Sequence, residues 1–444
     1  MRSYVPNTEK ERMEMLADIG MSSMDELFKD IPADLKLDRP LDLPEPLSEM
    51  ELRDLIHGFV YMNEEGGPLF RGAGAYRHYI PSVVPQLVMR SEFYTAYTPY
   101  QAEMSQGMLQ SLFEYQTVIC RLTGLDAANA SVYDGATAAA EAMLMLRDNK
   151  RKKKILYSAA LNPDVKTVMH TYGHCAGLEL VEIPVTDKGV SDIEAIRANI
   201  EGAAGYIGAN PNYYGNIEPM ADIAEAVHAA NGLLVAYVNP ITLGVMKRPA
   251  DYGADIAIGD GQPLGIPLSF GGPYVGFMAA TKKLMRNLPG RIAGQTTDAE
   301  GNRVFVLTLQ AREQHIRREM ASSNICSNQM LCAIMSTIYA CTMGPEGMRE
   351  VAEQNIAKAH YLAGELCKLK GIKLRYETPF FNEFVIDTET SALEINEALK
   401  DMGIVGGLVL EDGGMLWCAT ELNSKEDIDF LIDMLKNIVE GAEE

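Results

Sequence analysis

The sequence holds a single tryptophan and seven cysteines in 444 residues, with no CxxC pair among them. An odd, scattered set gives no disulfide framework and suits a reducing compartment, so the cysteines read as small buried hydrophobes. Cys326 follows His315 in the chain, but no local feature sets a base against it, and it too is read as structural. Long apolar runs are also missing. No stretch approaches a membrane span, and the opening MRSYVPNTEKERMEML lacks the apolar core of a signal peptide, so a cytoplasmic address is expected. Basic charge is scarce: 39 Lys and Arg face 61 Asp and Glu, a formal net charge of −22. That field repels phosphate backbones and anionic lipid, which sets nucleic acid and membrane aside as partners. The exception is KRKKK, Lys150 to Lys154, expected to cap a helix C-terminus in solvent.

What is there is a globular composition, 47% hydrophobic and 23% charged. Residues 1–65 read as an N-terminal arm: a charged helix from Thr8 to Ile19, a Pro-rich crossing, and a helix capped by Ser48 that runs to Tyr61. Residues 66–345 alternate helix and strand. Helices are expected at Ser105–Leu122, Ala136–Arg147, Pro163–Cys175 and Met220–Ala230; strands at Lys154–Ser158, Glu179–Ile183, Gly205–Gly208, 233–238 and 255–259. Such alternation predicts an α/β domain with a mostly parallel sheet covered on both faces. After a GPEG turn at 344–347, a helix from Met348 to Leu369, the strands EFVID and MLWCAT and an intervening helix predict a small C-terminal α+β domain over 346–444.

Open parallel sheets bind ligands beyond the C-terminal ends of their strands, so residues just after strands are the candidates for chemistry. Asn239 follows the strand LLVAYV, and Gln262 follows DIAIG within GADIAIGDGQPLGIPLSFGGP, Gly253 to Pro273. In pyridoxal-phosphate (PLP) enzymes of the aspartate aminotransferase fold, fold type I, an Asp at the first position holds the pyridinium proton and a Lys at the second forms the Schiff base. This chain resembles that frame but carries a neutral amide at both places. A carboxamide nitrogen, its lone pair delocalised, can neither condense with an aldehyde nor shuttle a proton. SVYDGAT, with Ser131, Asp134, Gly135 and Thr137, opens an Ala-rich helix and looks like a phosphate cup; DGAT before a helix is equally an ordinary turn and cap.

Other patterns carry less. His170 and His174 lie at helical spacing before Cys175, but Thr171 stands where a zincin motif needs Glu and no third ligand is near, so no metal is expected. Gly72 and Gly74 have no preceding strand and no third glycine, and make no dinucleotide fingerprint.

Five long blocks then identify a family resemblance: Glu92–Thr117, Ala130–Met143, Gly259–Phe277, Pro289–Asp298 and Leu307–Gln329. In order and over nearly the whole chain they resemble subunit 1, the alpha subunit, of the split glycine cleavage system P-protein, the decarboxylating glycine dehydrogenase. The resemblance implies a Lys where RREMASSN has Met320. It further implies an αβ pair dimerised to α2β2, both subunits sharing one fold and the beta subunit alone carrying PLP covalently. In the family, PLP-bound glycine loses CO2 and its aminomethyl group passes to the lipoyl arm of H-protein. Active sites of this fold lie at subunit interfaces, so a chain without a Schiff-base lysine can still complete its neighbour's pocket.

Candidates for that contribution are Tyr94, Tyr97 and Tyr100 around Pro99, with Gln101 and Glu103 in the same EFYTAYTPYQAE segment. Their phenols suit either stacking in the partner's site or interface packing. His78 reads equally as a structural histidine. Arg312, His315 and Glu319 are expected on one helical face, with Arg317 and Arg318 turned elsewhere; the cluster suits the glycine carboxylate, the PLP phosphate or an acidic patch on the carrier, or plain surface ion pairs. Two alternatives stay open. One is a self-sufficient PLP aminotransferase or desulfurase relative using another lysine, although Lys247, Lys282 and Lys283 lie where no Schiff base should form. The other is a non-enzymatic scaffold of the same fold.

Overall fold

Two capping boxes frame the first elements. Thr8 accepts the Glu11 N–H at the start of α1 (Glu9–Asp18) and Ser48 that of Glu51 at α2 (Glu49–Tyr61), and each glutamate answers the cap's own N–H. The computed structural model describes residues 5–63 and 66–441, in two units, Met1–Glu65 and Gly66–Glu444. In the first unit Leu16 is the one described residue that is buried, while Met50 and Tyr61 are among many apolar side chains left exposed.

The second unit opens with short helices α3 (Val83–Val88) and α4 (Ser91–Tyr94), then α5 (Gln106–Thr123), ended by Gly124 at φ 74°. Strand β1 (Ala127–Ala128) precedes α6 (Gly135–Lys150). Then β2 (Lys154–Ser158), α7 (Pro163–Ala176), β3 (Glu179–Ile183), α8 (Ile193–Asn199), β4 (Ala203–Ala209), α9 (Met220–Ala229), β5 (Leu233–Tyr237) and β6 (Ile256–Asp260) follow in alternation. With β7 (Gly276–Ala280) they form a seven-stranded sheet of order β1-β7-β6-β5-β4-β2-β3. Strands β2 to β6 are parallel; β7 runs antiparallel to β6, and β1 to β7. The central strands are buried along their length, as a sheet covered on both faces requires. Tyr115 and Ile119 of α5 with Ile223 and Val227 of α9 fill one core, and Ala138, Met143 and Leu146 of α6 with Val165 and Met169 of α7 fill another.

A hairpin of β8 (Ile292–Thr297) and β9 (Arg303–Thr308) comes next, then a four-residue α10 (Gln314–Arg317) and the long α11 (Met330–Leu366). The remaining strands β10 (Ile372–Leu374), β11 (Glu383–Thr388), β12 (Leu408–Val409) and β13 (Met415–Cys418) make an antiparallel sheet of order β10-β11-β13-β12. With α12 (Ala392–Asp401) and α13 (Lys425–Glu440) it closes over Phe384, Trp417 and Leu431.

Two expectations are revised in part. The GPEG turn is a kink inside α11, where Gly344 takes φ 60° and ψ −177° and Pro345 restarts the helix. The KRKKK run does end α6, with Lys150 its last residue and Arg151 its C-cap, but Lys152 donates to the Ala203 carbonyl at 2.9 Å and Lys154 to that of Asn199 at 2.7 Å. Arg151 and Lys153 are exposed as expected, and Lys152 and Lys154 are instead half-buried cross-links to neighbouring segments. The antiparallel edge β7–β1 and the β8–β9 hairpin lie outside the strand–helix alternation and were not expected. Among the described residues no helix is long and apolar enough to cross a membrane, and no cluster of three metal-ligating side chains occurs. His170 instead packs edge-on against Tyr157, Nε2 to hydroxyl 3.0 Å.

Candidate functional site

Beyond the C-terminal ends of β2, β4, β5 and β6 the chain leaves a pocket of about 60 Å³, bordered by Asn162, Ala209, Tyr237, Asn239, Asp260 and Glu383. Of the sequence-predicted amides Asn239 borders it and Gln262 lies behind its Tyr76 and Pro263 wall, and both are engaged in structure. Gln262 is 1% exposed. Its Nε2 donates to the carbonyls of Tyr76 and Ile266, each at 2.8 Å, and its Oε1 accepts the Tyr76 N–H at 2.9 Å. This side chain clamps the 72–78 loop to the turn after β6. A lysine, with donors and no acceptor, could not take the Tyr76 N–H. Asn239 caps the 3-10 turn Pro240–Gly244, its Oδ1 accepting the Ile241 N–H at 3.0 Å.

The cup at the start of α6 has inward partners too. Asp134 is the N-cap and accepts the Thr137 N–H at 2.7 Å. The Gly135 N–H goes to Asp260 Oδ2 at 2.9 Å, and Asp260 Oδ1 also takes the Gln262 N–H at 2.8 Å. Ser131, at φ 128°, is fully buried, and its hydroxyl lies 3.0 Å from Asn328 Nδ2 and 3.2 Å from the Gln329 N. Burial pushes the Asp260 carboxyl up to about 7, against the backbone N–H groups of Gly135, Gln262 and Val275 that favour its charge. Glu383, on the far wall, accepts the Ala73 N–H at 2.6 Å and the Tyr76 hydroxyl at 2.7 Å; burial raises it to about 7 as well.

These residues do not fit PLP. No lysine borders the pocket, and two carboxylates hold cup donors.

The second group of candidates faces outward. Tyr94, Tyr97 and Tyr100 are 56%, 74% and 58% exposed, and Gln101 and Glu103 stand exposed beside them. Tyr97 Oη lies 3.0 Å from Ser327 Oγ, and Tyr100 Oη 3.7 Å from Cys326 Sγ. The Arg291 guanidinium sits 4.8 Å from the centre of the Tyr100 ring, and its Nη2 is 4.0 Å from Cys326 Sγ. The Cys326 contact pushes the Tyr100 hydroxyl up, and the Arg291 charge pulls it down. Three blocks distant in sequence thus converge on one face: 92–117, 289–298 and 307–329.

Beneath that face, buried polar atoms stand without partners: Arg291 Nη1, Arg312 Nε and Nη2, and Glu313 Oε1. Arg312 does bond the Leu288 carbonyl, and it borders a cleft of about 30 Å³ between 286–290 and 322–325. Burial lowers the Arg312 guanidinium and raises Glu313, whose carboxylate feels Arg291, Arg312 and His315.

The single helical face expected for Arg312, His315 and Glu319 is not formed. A 3-10 turn over Gln310–Arg312, the short α10 and a second 3-10 turn over Arg318–Met320 break it, with Arg318 at φ 54°. His315, Arg317 and Arg318 are exposed, and Arg317 bonds only the Ala311 carbonyl, at 3.3 Å. His78 is 7% exposed and paired to Glu421 at 2.8 Å, so it belongs to the interior and not to the tyrosine face. Sequence reasoning passed over Asp260, Glu383, Tyr237 and Arg291. Asp260 had a signal, a carboxylate at the end of a parallel strand just before the missing lysine; Glu383 had none.

Comparison with known proteins places the chain. The family model described as "Glycine cleavage system P-protein" matches residues 2–435. The probable glycine dehydrogenase (decarboxylating) subunit 1 of Moorella thermoacetica is 49% identical over 444 residues, covering 98% of this chain and 100% of that one. A crystal structure of glycine decarboxylase, the P-protein of the glycine cleavage system, in inhibitor-bound form superposes with a TM-score of 0.90 at 41% identity, covering 98% of this chain and 100% of that one. A sphingosine-1-phosphate lyase from Burkholderia pseudomallei, at 13% identity, TM-score 0.64 and coverage of 91% and 93%, shares the fold alone, PLP-dependent fold type I. With both amides turned inward and the tyrosines turned out, the chain belongs to the glycine cleavage system P-protein family.

Proposed function

We propose that this chain is the cofactor-free subunit 1 of a glycine dehydrogenase (decarboxylating), working as an obligate half of an α2β2 assembly. The partner beta subunit holds PLP through its own lysine. Together the two decarboxylate glycine and pass the aminomethyl group to the lipoyl arm of H-protein. The observation that carries the reading is Gln262: the residue at the Schiff-base position is a buried carboxamide with its donors and acceptor engaged.

Two features support a partner. The tyrosine face presents phenols to solvent above guanidinium atoms that lack hydrogen bonds, a costly arrangement for an isolated chain and a natural one for a surface completed by another protein. The 1–65 unit leaves Leu41, Leu43, Met50 and Tyr61 exposed, more apolar surface than an isolated helical arm tolerates. In this reading Tyr97 and Tyr100 border the partner's pocket, with the buried Arg291 backing the Tyr100 ring, and their phenol donors suit a carboxylate or phosphate. Tyr94, Gln101, Glu103, His315, Arg317 and Arg318 form its rim.

The test is reconstitution. Carbon dioxide release from glycine is measured with this chain alone, the beta subunit alone, and both, each with lipoylated H-protein. Release only from the mixture is expected. Release from this chain alone would favour a self-sufficient enzyme, and no gain on mixing would favour a scaffold.

A further inference from the structure

The pocket at the strand ends is bordered by a residue, Asp260, whose role neither the missing lysine nor the glycine chemistry explains. We propose that Asp260 is an internal anion, held where this fold would receive a phosphate group, and that it keeps phosphorylated ligands off this chain.

The placement follows from general rules. Parallel sheets receive ligands beyond their strand ends, and the N-terminus of a helix opening there offers N–H groups and positive dipole to an anion. Helix α6 is such a helix, 16 residues long. At its first residue the Gly135 N–H points to Asp260 Oδ2 at 2.9 Å. Asp260 Oδ1 is fixed by the Gln262 N–H at 2.8 Å, so the carboxylate is gripped from two segments. Two residues further along α6 the Thr137 N–H already belongs to Asp134. The Tyr237 hydroxyl lies so close to Gly135 that even a methyl group there would collide with it. An arriving phosphate would therefore meet engaged N–H groups at Gly135 and Thr137 and two carboxylates of its own sign.

Loss of the lysine alone would remove only the covalent bond; a chain that had lost nothing else would still hold the cofactor by its phosphate. In a mixed assembly of two similar folds, Asp260 removes that second hold, and phosphorylated cofactor is left to the other subunit. The inference rests on the fold and on Asp260, not on the glycine reaction.

The test reads binding and not turnover, so its failure is distinct from failure of the functional proposal. Inorganic phosphate and pyridoxine 5′-phosphate, which has no aldehyde to trap stray lysines, are titrated calorimetrically at pH 8.5, where Asp260 is ionised, into the full-length chain and its Asp260→Ser and Asp260→Asn variants. Folding is checked by circular dichroism. Removing the like charge is expected to tighten one saturable site by about tenfold or more for inorganic phosphate in Asp260→Ser. Asp260→Asn, with one acceptor retained, should show a smaller gain. Should Asp260→Ser not fold, the isosteric Asp260→Asn decides. A wild-type chain that binds either probe as tightly as the variants, or folded variants with no gain, overturns the proposal.

Discussion

The closed pocket and the tyrosine face hold similar kinds of side chain and treat them in opposite ways. Around the pocket, Gln262, Asn239 and Asp260 are each held by backbone groups of this chain. On the face, Tyr97 and Tyr100 meet Ser327 and Cys326 through their hydroxyls and are otherwise exposed, while the buried Arg291 and the half-buried Arg312 keep guanidinium nitrogens without a bond. The difference teaches where function can reside. Groups already engaged within the fold stabilise it, and groups left unengaged at a surface are available to another molecule. Substitutions in the pocket should therefore change stability and spare the joint reaction, and substitutions on the face should do the reverse.

The sharpest break comes from Tyr100. Tyr100→Ala in the assembled enzyme is expected to lower kcat/KM for glycine by about 10- to 100-fold, the range for losing one oriented polar group at a reacting centre. The melting temperature of this chain should hardly move. A variant with full activity would remove Tyr100 from the partner's pocket.

Gln262→Lys tests the other side. Lysine leaves the Tyr76 N–H without its acceptor and places a charge in a buried site, at a cost of about 2–3 kcal/mol in urea unfolding. No borohydride-trapped adduct should form at position 262, because the cup that would hold the phosphate is filled.

The buried acids set a pH dependence. Burial raises Asp260, Glu383 and Glu141 to about 7 and Glu218 to about 6. The folded chain then holds more protons than the unfolded one between the ordinary carboxylate range and pH 7. Stability from these groups is full below that window and is lost as pH rises through it. Moving from pH 5.5 to 8 should cost the chain on the order of a few kcal/mol, read by urea unfolding at both values. Glu383→Gln should flatten part of that slope.

Tyr97→Phe is the smallest expected effect. It removes a hydrogen bond at an exposed site, so stability should stay within about 0.5 kcal/mol while joint activity falls a few-fold, checked by melting and by glycine decarboxylation.

Much of this was legible in the sequence for a physical reason. Strands β2 and β3 and helix α7 announce themselves by short apolar runs, an Asn-Pro start and a Gly stop, all local signals. Gln262 was legible because an absent lysine shows in any register of the surrounding strand and turn. The arginine cluster was not: its spacing fits a helix, but the chain bends through positive φ at Leu309 and Arg318, and neither residue type signals that. Nor was the partnership of Asp260 with Gly135, which joins residues far apart in sequence. His78 showed its chemistry but not its neighbour, since Glu421 arrives from the other end of the chain.

The most direct measurement maps the cofactor in the assembled enzyme. The α and beta subunits are loaded with PLP, reduced with borohydride, digested and sequenced by mass spectrometry. A pyridoxyl group on one lysine of the beta subunit, with every lysine of this chain unmodified, is the predicted result. A stoichiometric pyridoxyl-lysine in this chain would contradict the account at its centre.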